Sequence, residues 1–334
     1  MIENINGTVV KLLGDPHLGR AFNHGVPLHR RGDREEMQWA DFTASVMDVA
    51  GTQLHVCMGD LFDKWTVPYS VIYRAAEIYR AAARANPGKR FVIIQGNHDA
   101  SRDLERVSAF KLFSEIVSFE PNIWVVKGKP TRLTDGDNTF LFVPWDPILN
   151  AAEMVEMHAE LFLGYGATVT VFGHWDVLEA FASDNLIPIA KLKALGVSRA
   201  ITGHDHHARD MEIEGLPVKI TGSMQPYSFA EDHTGKLYIS LTKTQLESIK
   251  LDLRNMCVRV LLAEGESLDK PVDCLQLKVQ KIGEQDFDDE DALNVAFEGF
   301  DFDKMFSETM EELKVDAAFR DIAAEKFDAE RAKQ

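Results

Sequence analysis

The nine residues Phe91-Val92-Ile93-Ile94-Gln95-Gly96-Asn97-His98-Asp99 carry the decision about the fold. A mainly apolar run of strand length, closed by Gln95, ends on a glycine, and three polar side chains able to bind a metal or move a proton follow at once. The same grammar recurs along the chain. Val9 to Leu13 runs into Gly14-Asp15-Pro16-His17, and Leu54 to Met58 runs into Gly59-Asp60-Leu61-Phe62-Asp63. Thr168 to Phe172 runs into Gly173-His174-Trp175-Asp176, and Ala200 to Thr202 into Gly203-His204-Asp205-His206.

Five strands that each end on Gly followed by Asp, Asn or His point to one crevice, because ligands of α/β sheets sit at the carboxyl ends of the strands. Further strands are expected at Ile123 to Val126, Phe140 to Val143, Val218 to Thr221 and Leu237 to Leu241. Segments of helical period fill the gaps at Arg34 to Ala50, Pro68 to Ala85, Leu104 to Ile116 and Ala151 to Phe162. Strand, loop, helix in repetition is the pattern of α/β layers. In the second half long helices no longer separate the strands, so an antiparallel portion is expected there. From Lys243 the character changes, with strand-like runs at Cys257 to Leu262 and Cys274 to Val279. The expected organisation is a main domain over 1–242, a small α+β cap over 243–282, and an acidic linker with a helical tail over 283–334.

The donor set at the strand ends is Asp15, His17, Asp60, Asn97, His174, His204 and His206. Mixed oxygen and imidazole donors suit Mn, Fe or Zn rather than a thiolate site or an all-oxygen calcium cage. In extended chain the i, i+2 spacing of Asp15 with His17, and of His204 with His206, turns both members of a pair to one side. Seven donors are too many for one ion and suit two, held about 3.5–4 Å apart as a clamp for attack on phosphorus.

At these residues the sequence resembles the calcineurin-like metallophosphoesterases, whose motifs DxH, GDxxD, GNHD, GH and GHxH occur here in order between Asp15 and His206. Within that superfamily it most resembles the SbcD-type DNA repair nucleases, of the meiotic-recombination nuclease family. The GDLFD loop followed by Trp65-Thr66-Val67-Pro68, and the stretch Pro217 to Pro226 (PVKITGSMQP), carry that likeness. Asp63-Lys64-Trp65 stands where the superfamily's protein phosphatases carry an Arg-containing ending, which lowers a phosphatase reading.

The resemblance implies a two-sheet sandwich flanked by helices. It implies that Asp15, His17, Asp60 and His206 hold one Mn ion and that Asp60, Asn97, His174 and His204 hold the other, with Asp60 as bridge; Mg or another divalent metal is the alternative. His98 then stabilises the pentacovalent phosphorus or protonates the leaving oxygen, and the nucleophile is a metal-activated water. Asp63, Asp99 and Asp176 are expected to orient ligands rather than to bind metal. The implied activity is Mn-dependent DNA hydrolysis, exonucleolytic on duplex ends and endonucleolytic on single strands or hairpins. The rivals are a phosphodiesterase or phosphatase of small molecules or phosphoproteins, and a non-cutting scaffold between DNA and an ATPase.

Beyond the motifs, the apolar residues Phe302, Met305, Phe306, Met310, Leu313 and Ala317 lie at helical spacing. Docking on the chain's own domain would explain this stripe; the resemblance implies a grip on the coiled coil of an SbcC-type ATPase, in a complex built on a homodimer of this chain. No GxxxxGK[ST] motif is present, so ATP dependence would come from that partner. His24, His29, His55, His158, His207 and His233 are expected to be surface or core groups, while Arg20, Arg30, Arg31, Arg34, Lys64 and Arg102 are candidates for tracking a DNA backbone.

Composition bounds these readings. The 334 residues are 45% hydrophobic and 27% charged, which suits a packed core and excludes wholesale disorder. With 36 Lys and Arg against 53 Asp and Glu, the formal charge of −17 opposes binding to nucleic acid through a uniformly basic surface. Residues 283–334 account for −11 of it, leaving −6 for the rest. Cys57, Cys257 and Cys274 show no zinc or disulfide spacing. The opening MIENINGTVV lacks a signal-peptide pattern and no run approaches the roughly 18 apolar residues of a membrane span, so a cytoplasmic protein with no membrane partner is expected.

Overall fold

The computed structural model describes residues 1–101, 103, 106–162, 168–177 and 185–283. Met1–Ile282 form one compact unit. The expected tail helix, and Arg102, lie outside the described residues.

Continuous apolar strands make parallel sheets covered on both faces. The first sheet has the order β1-β2-β3-β4-β5, built from Ile2–Ile5, Thr8–Leu13, Leu54–Cys57, Arg90–Ile94 and Ile123–Val126. It is parallel from β2 to β5, with β1 antiparallel at the edge. Side chains alternate across β4: Phe91 and Ile93 pack on the helix side with Trp39, Phe42, Tyr79, Phe110 and Phe113. Val92 and Ile94 turn the other way, into the layer shared with Phe140, Phe142, Phe172 and Ile201 of the second sheet. Truncating a fully buried ring such as Phe113 to alanine costs about 3–5 kcal/mol.

The helices outside the first sheet are α1 (Asp33–Met47), α2 (Tyr69–Ala85) and α3 (Ala109–Val117). Pro68 stands at the cap position before α2 rather than in its first turn. α3 starts later than its periodicity suggested, because the Ser108 hydroxyl accepts from the Lys111 amide, 3.2 Å, and fixes the start.

The second sheet has the order β10-β11-β9-β8-β7-β6, from Arg209–Ile213, Leu216–Ile220, Val197–Gly203, Thr168–His174, Asn138–Phe142 and Thr131–Asp135. Its four central strands are parallel and its two edge strands antiparallel. Outside it lie α4 (Ala151–Met157), opened by an Asn150–Glu153 capping box, and α5 (Ile189–Ala194). Two mixed sheets between helical layers are the α/β sandwich that the resemblance implies.

A third sheet joins β12 (Tyr238–Thr242), β13 (Cys257–Leu262) and β14 (Gln276–Lys281), with α6 (Lys243–Ser248) between its first two strands. It begins at Tyr238, upstream of the compositional change at Lys243. All three strands run parallel, so the antiparallel pairing expected in the second half is confined to the edges of the large sheet. The three cysteines are buried and free. Among the described residues no helix is long and apolar enough to cross a membrane.

Candidate metal centre

The last residue of β8 and the loops after β2, β3, β4 and β9 bring His174 together with Asp15, His17, Asp60, Asn97, His98, His204 and His206 at the carboxyl ends of both sheets. Asp15, His17, Asp60 and His174 are at most 2% exposed. Two groups that share no member each gather ligand atoms within 4.8 Å of one another: Asp15 with His17 and His206, and Asp60 with His174 and His204. Asp60 also lies in a group with His17 and His98, which puts it between the two sets. Its Oδ2 is 3.8 Å from His17 Nε2 and 3.3 Å from His174 Nε2. Asn97 Oδ1 joins the second set, 2.9 Å from His174 Nε2 and 3.1 Å from His204 Nδ1.

The i, i+2 pairs converge by a different device from the extended chain expected of them. His17, Asp60 and His204 adopt φ of 46°, 46° and 76°, the left-handed region that non-glycine residues seldom enter. Such conformations gather where a site over-determines the backbone. Two glycines of the motifs act by making room. A Cβ on Gly59 would lie 2.1 Å from His174 Nδ1, and one on Gly96 would lie 2.1 Å from Asp60 Oδ1.

Neighbouring groups fix which nitrogen each imidazole presents. His174 Nδ1 donates to the Met58 carbonyl, 3.0 Å, which leaves Nε2 facing the oxygens of Asp60 and Asn97. His206 Nδ1 pairs with Glu231 Oε1 at 3.2 Å, and its Nε2 faces His17 Nε2 at 3.1 Å. His204 is turned the other way, with Nε2 2.7 Å from Asp176 Oδ1 and Nδ1 toward Asn97. His98 Nδ1 donates to the Asp63 carbonyl, 2.6 Å, and its amide donates to Asp60 Oδ1, 2.9 Å.

Lone pairs that face one another across 3 Å need a positive charge between them, as a proton or as a metal ion. Burial alone would lower His174, yet the carboxylates of Asp60 and Asp15 push it up to about 10. Burial opposes charge on His206 too, but Glu231 raises it to about 9. Burial lifts Asp15 to about 6 and drives His17 well below its usual value. Burial likewise works against the charge of Asp60, but His174 outweighs it and holds the carboxyl low. Asp15 Oδ1 and His17 Nδ1 are buried without a hydrogen-bond partner. The unpaired buried Asp15 Oδ1, together with seven converging O and N ligands, fits a pair of divalent cations.

The three carboxylates expected to orient ligands differ in what they touch. Asp176 lies on His204 as described. Asp63 Oδ1 is 3.8 Å from His17 Nδ1 and 3.6 Å from Arg20. Asp99 grips backbone rather than a side chain, accepting from the amides of Leu61, Phe62 and Gly96 at 3.2, 3.0 and 2.9 Å. Burial pushes its carboxyl up to about 8.

Residues 8–208, more than half of the chain, match the family model of the calcineurin-like phosphoesterases. The chain belongs to this family. Calcineurin-like phosphoesterases are dinuclear metal-dependent hydrolases, and the family motifs fall on the side chains gathered above. The protein is similar to a dimetal phosphatase from Danio rerio, with 13% identity, 65% of this chain and 88% of that one covered, and a TM-score of 0.42. It is also similar to phosphopantetheinyl hydrolase from Mycobacterium tuberculosis, with 10% identity, 66% and 93% covered, and a TM-score of 0.42. A third likeness is to GAP50, the anchor in the inner membrane complex of Plasmodium, with 15% identity, 65% and 71% covered, and a TM-score of 0.40. No curated protein sequence matches the chain.

Three residues of this phosphoesterase site escaped sequence reasoning. Glu231 holds His206. The Tyr227 hydroxyl donates to the carbonyls of Asp15 and Pro16, and Gln38 Nε2 donates to those of Pro16 and His17. Tyr227 and Glu231 lie just past the Pro217 to Pro226 stretch, but nothing in their spacing announces that Tyr227 folds back onto the Asp15–Pro16 loop or that Glu231 turns onto His206.

Arg34 is a correction to the list of DNA-tracking cations. It is 1% exposed, its Nη2 donates to the Pro226 carbonyl, 3.0 Å, and its guanidinium lies 4.3 Å from the Phe22 ring centre. Arg20 pairs with Asp63, and Arg30 with Asp33, while Arg31 and Lys64 are exposed.

Proposed function

We propose that this phosphoesterase is the Mn-dependent nuclease subunit of an SbcCD-like DNA end-processing complex, acting as exonuclease on duplex ends and endonuclease on single strands or hairpins. The observation that carries this reading is the placement of the Pro217 to Pro226 stretch, one of the two parts of the chain that resemble the SbcD-type nucleases. Ser223 bridges to Asp15, and the Met224 amide donates to the Asp15 carbonyl, 3.2 Å, so the stretch forms a wall of the metal centre.

The two ions, when bound, supply Lewis acidity toward a phosphoryl oxygen and a nucleophile at neutral pH. The chain's own groups do the rest. Asp60, with one oxygen fixed by the His98 amide, offers the other to both ligand sets. Glu231 and Asp176 aim His206 and His204. Nδ1 of His98 is committed to the Asp63 carbonyl, so Nε2 is the atom that would carry a proton to the leaving oxygen. The tail over 283–334 would hold the coiled-coil ATPase, within a heterotetramer built on a homodimer in the cytoplasm, and would keep most of the negative charge away from DNA.

Labelled duplex, hairpin and single-stranded DNA, incubated with Mn with and without a candidate ATPase, test this reading. DNA cleavage lost in His98→Asn is expected. Hydrolysis of small phosphodiesters or phosphoproteins with no cleavage of any DNA would replace it with the phosphodiesterase or phosphatase reading, and DNA binding without hydrolysis of any ester would make the protein a scaffold. Deleting Gly283–Gln334 is expected to abolish ATPase binding; unchanged binding would remove the role given to the tail.

A further inference from the structure

Next to the metal centre lies a cleft of about 460 Å³, within the size range of small-molecule sites. Trp65, Asn97, Ser101, Asp103, Arg106 and Trp145 line it. None of the roles assigned above uses its two tryptophans.

Both indoles are half-buried and firmly placed. Trp145 is held to the end of β4 by a reciprocal pair. Its amide donates to the Gln95 carbonyl at 2.9 Å, and the Gln95 side-chain amide donates back to the Trp145 carbonyl at 3.0 Å. Gln95 is 9% exposed and two residues before Asn97, so Trp145 keeps a fixed distance from the metal ligands. The Trp65 carbonyl accepts from the Ala109 amide, 2.7 Å, which ties the main chain at Trp65 to the first turn of α3. The Arg106 guanidinium lies 5.3 Å from the Trp65 ring centre while its Nε holds Asp103 Oδ2 at 2.8 Å.

Two tryptophans, with amide and hydroxyl groups on the walls, match the chemistry that binds a single-stranded nucleotide, stacking for the base and hydrogen bonds for its edges, while the rim carries the Arg106–Asp103 ion pair rather than a free cation. A base inside a duplex has both faces covered by its neighbours, so only an unpaired or extruded base can use such a cleft.

We propose that this cleft stacks an unpaired nucleobase of the nucleotide beside the scissile phosphodiester, so that Trp65 and Trp145 position an unpaired strand for cleavage. The inference rests on the nuclease reading and deepens it.

The test uses the full-length protein with Mn on three substrates. They are single-stranded oligothymidylate, the same oligomer with one abasic tetrahydrofuran residue moved along it, and methyl p-nitrophenyl phosphate, which has no base. Trp65→Ala and Trp145→Ala should each lower kcat/KM on the intact oligomer by about 10- to 100-fold more than on the small ester, and Trp145→Phe should recover most of the loss. In the wild type one abasic position should reproduce the loss, and Trp145→Ala should be indifferent to that position. Fluorescence anisotropy of the labelled oligomer in EDTA should rank the proteins the same way without metal. If the variants fail to fold by thermal melt, the abasic scan on the wild type decides alone. DNA cleavage insensitive to every abasic position overturns the stacking and leaves the nuclease reading standing. Hydrolysis of the small ester with no cleavage of DNA overturns both.

Discussion

The two walls of the metal centre are built on different principles. The wall from the first sheet carries Asp15, His17, Asp60 and the Asn97–His98 turn on strand ends fixed by backbone hydrogen bonds. His17 donates its amide to the Asp60 carbonyl, Leu18 donates to Leu61, and Asp99 clamps three further amides beneath them. The wall from the second sheet has His174 fully buried on the Met58 carbonyl, but its outer ligands depend on side chains. His204 is 28% exposed and leans on Asp176; His206 is 19% exposed and leans on Glu231. A ligand set fixed by backbone on one side and by carboxylate props on the other combines a rigid floor with an adjustable rim.

This contrast can be broken from either side. The largest effect belongs to the floor: Asp60→Ala removes the carboxylate shared by both ligand sets, and phosphoester hydrolysis should fall to background at any Mn concentration, measured by steady-state kinetics with metal counted per chain. Next comes Asp99→Ala, which strands the amides of Leu61, Phe62 and Gly96. At about 1–3 kcal/mol for each buried unpaired donor it should destabilise the fold by about 3 kcal/mol or more, read by urea denaturation. Activity lost by this route should not return with added metal. At the rim the expectation reverses. Glu231→Gln and Asp176→Asn should weaken Mn binding by about 10- to 100-fold and leave activity recoverable at higher Mn. Equal rescue of floor and rim variants would erase the distinction.

The effect beneath the floor is absent at neutral pH and shows only in acid. His55 on β3 is packed between the rings of Tyr79 and Phe91, 5.9 and 5.6 Å away, and burial pushes it down to about 3. Its unfolded pKa is about 6.5. Above that pH both states are neutral and His55 contributes no pH dependence. Below it the unfolded chain takes a proton that the folded chain refuses, so stability falls by about 1.4 kcal/mol per unit until pH approaches about 3. His55→Phe should therefore flatten the acid limb of a stability–pH curve by about that slope, and an unchanged slope would contradict the neutral buried imidazole.

The positions of these features divide what the sequence could and could not show. The strands that carry ligands were legible because each is a short, mainly apolar run ended by glycine, a pattern that parallel pairing imposes locally. The edge strands Ile2–Ile5, Thr131–Asp135 and Arg209–Ile213 were not, since each is half solvated and mixes charged or polar residues with apolar ones. Among the donors, the motif residues were legible by their place after strands, but the backbone that joins them was not. Left-handed φ at His17 and His204 depends on contacts with distant loops. Glu231, Tyr227 and Gln38 owe their roles to tertiary folding, and no period or spacing encodes that. Arg34 was misjudged because a positive charge near a motif looks solvated in sequence, whereas three-dimensional packing seats it against Phe22 and the Pro226 carbonyl.

The proposal that Asp60 links two ions can be tested without any substrate. Electron paramagnetic resonance of the full-length protein loaded with two equivalents of Mn should give an exchange-coupled spectrum, and Asp60→Ala should convert it to the six-line signal of isolated ions. A six-line signal from the wild type, or a coupled spectrum that survives Asp60→Ala, would contradict the shared carboxylate.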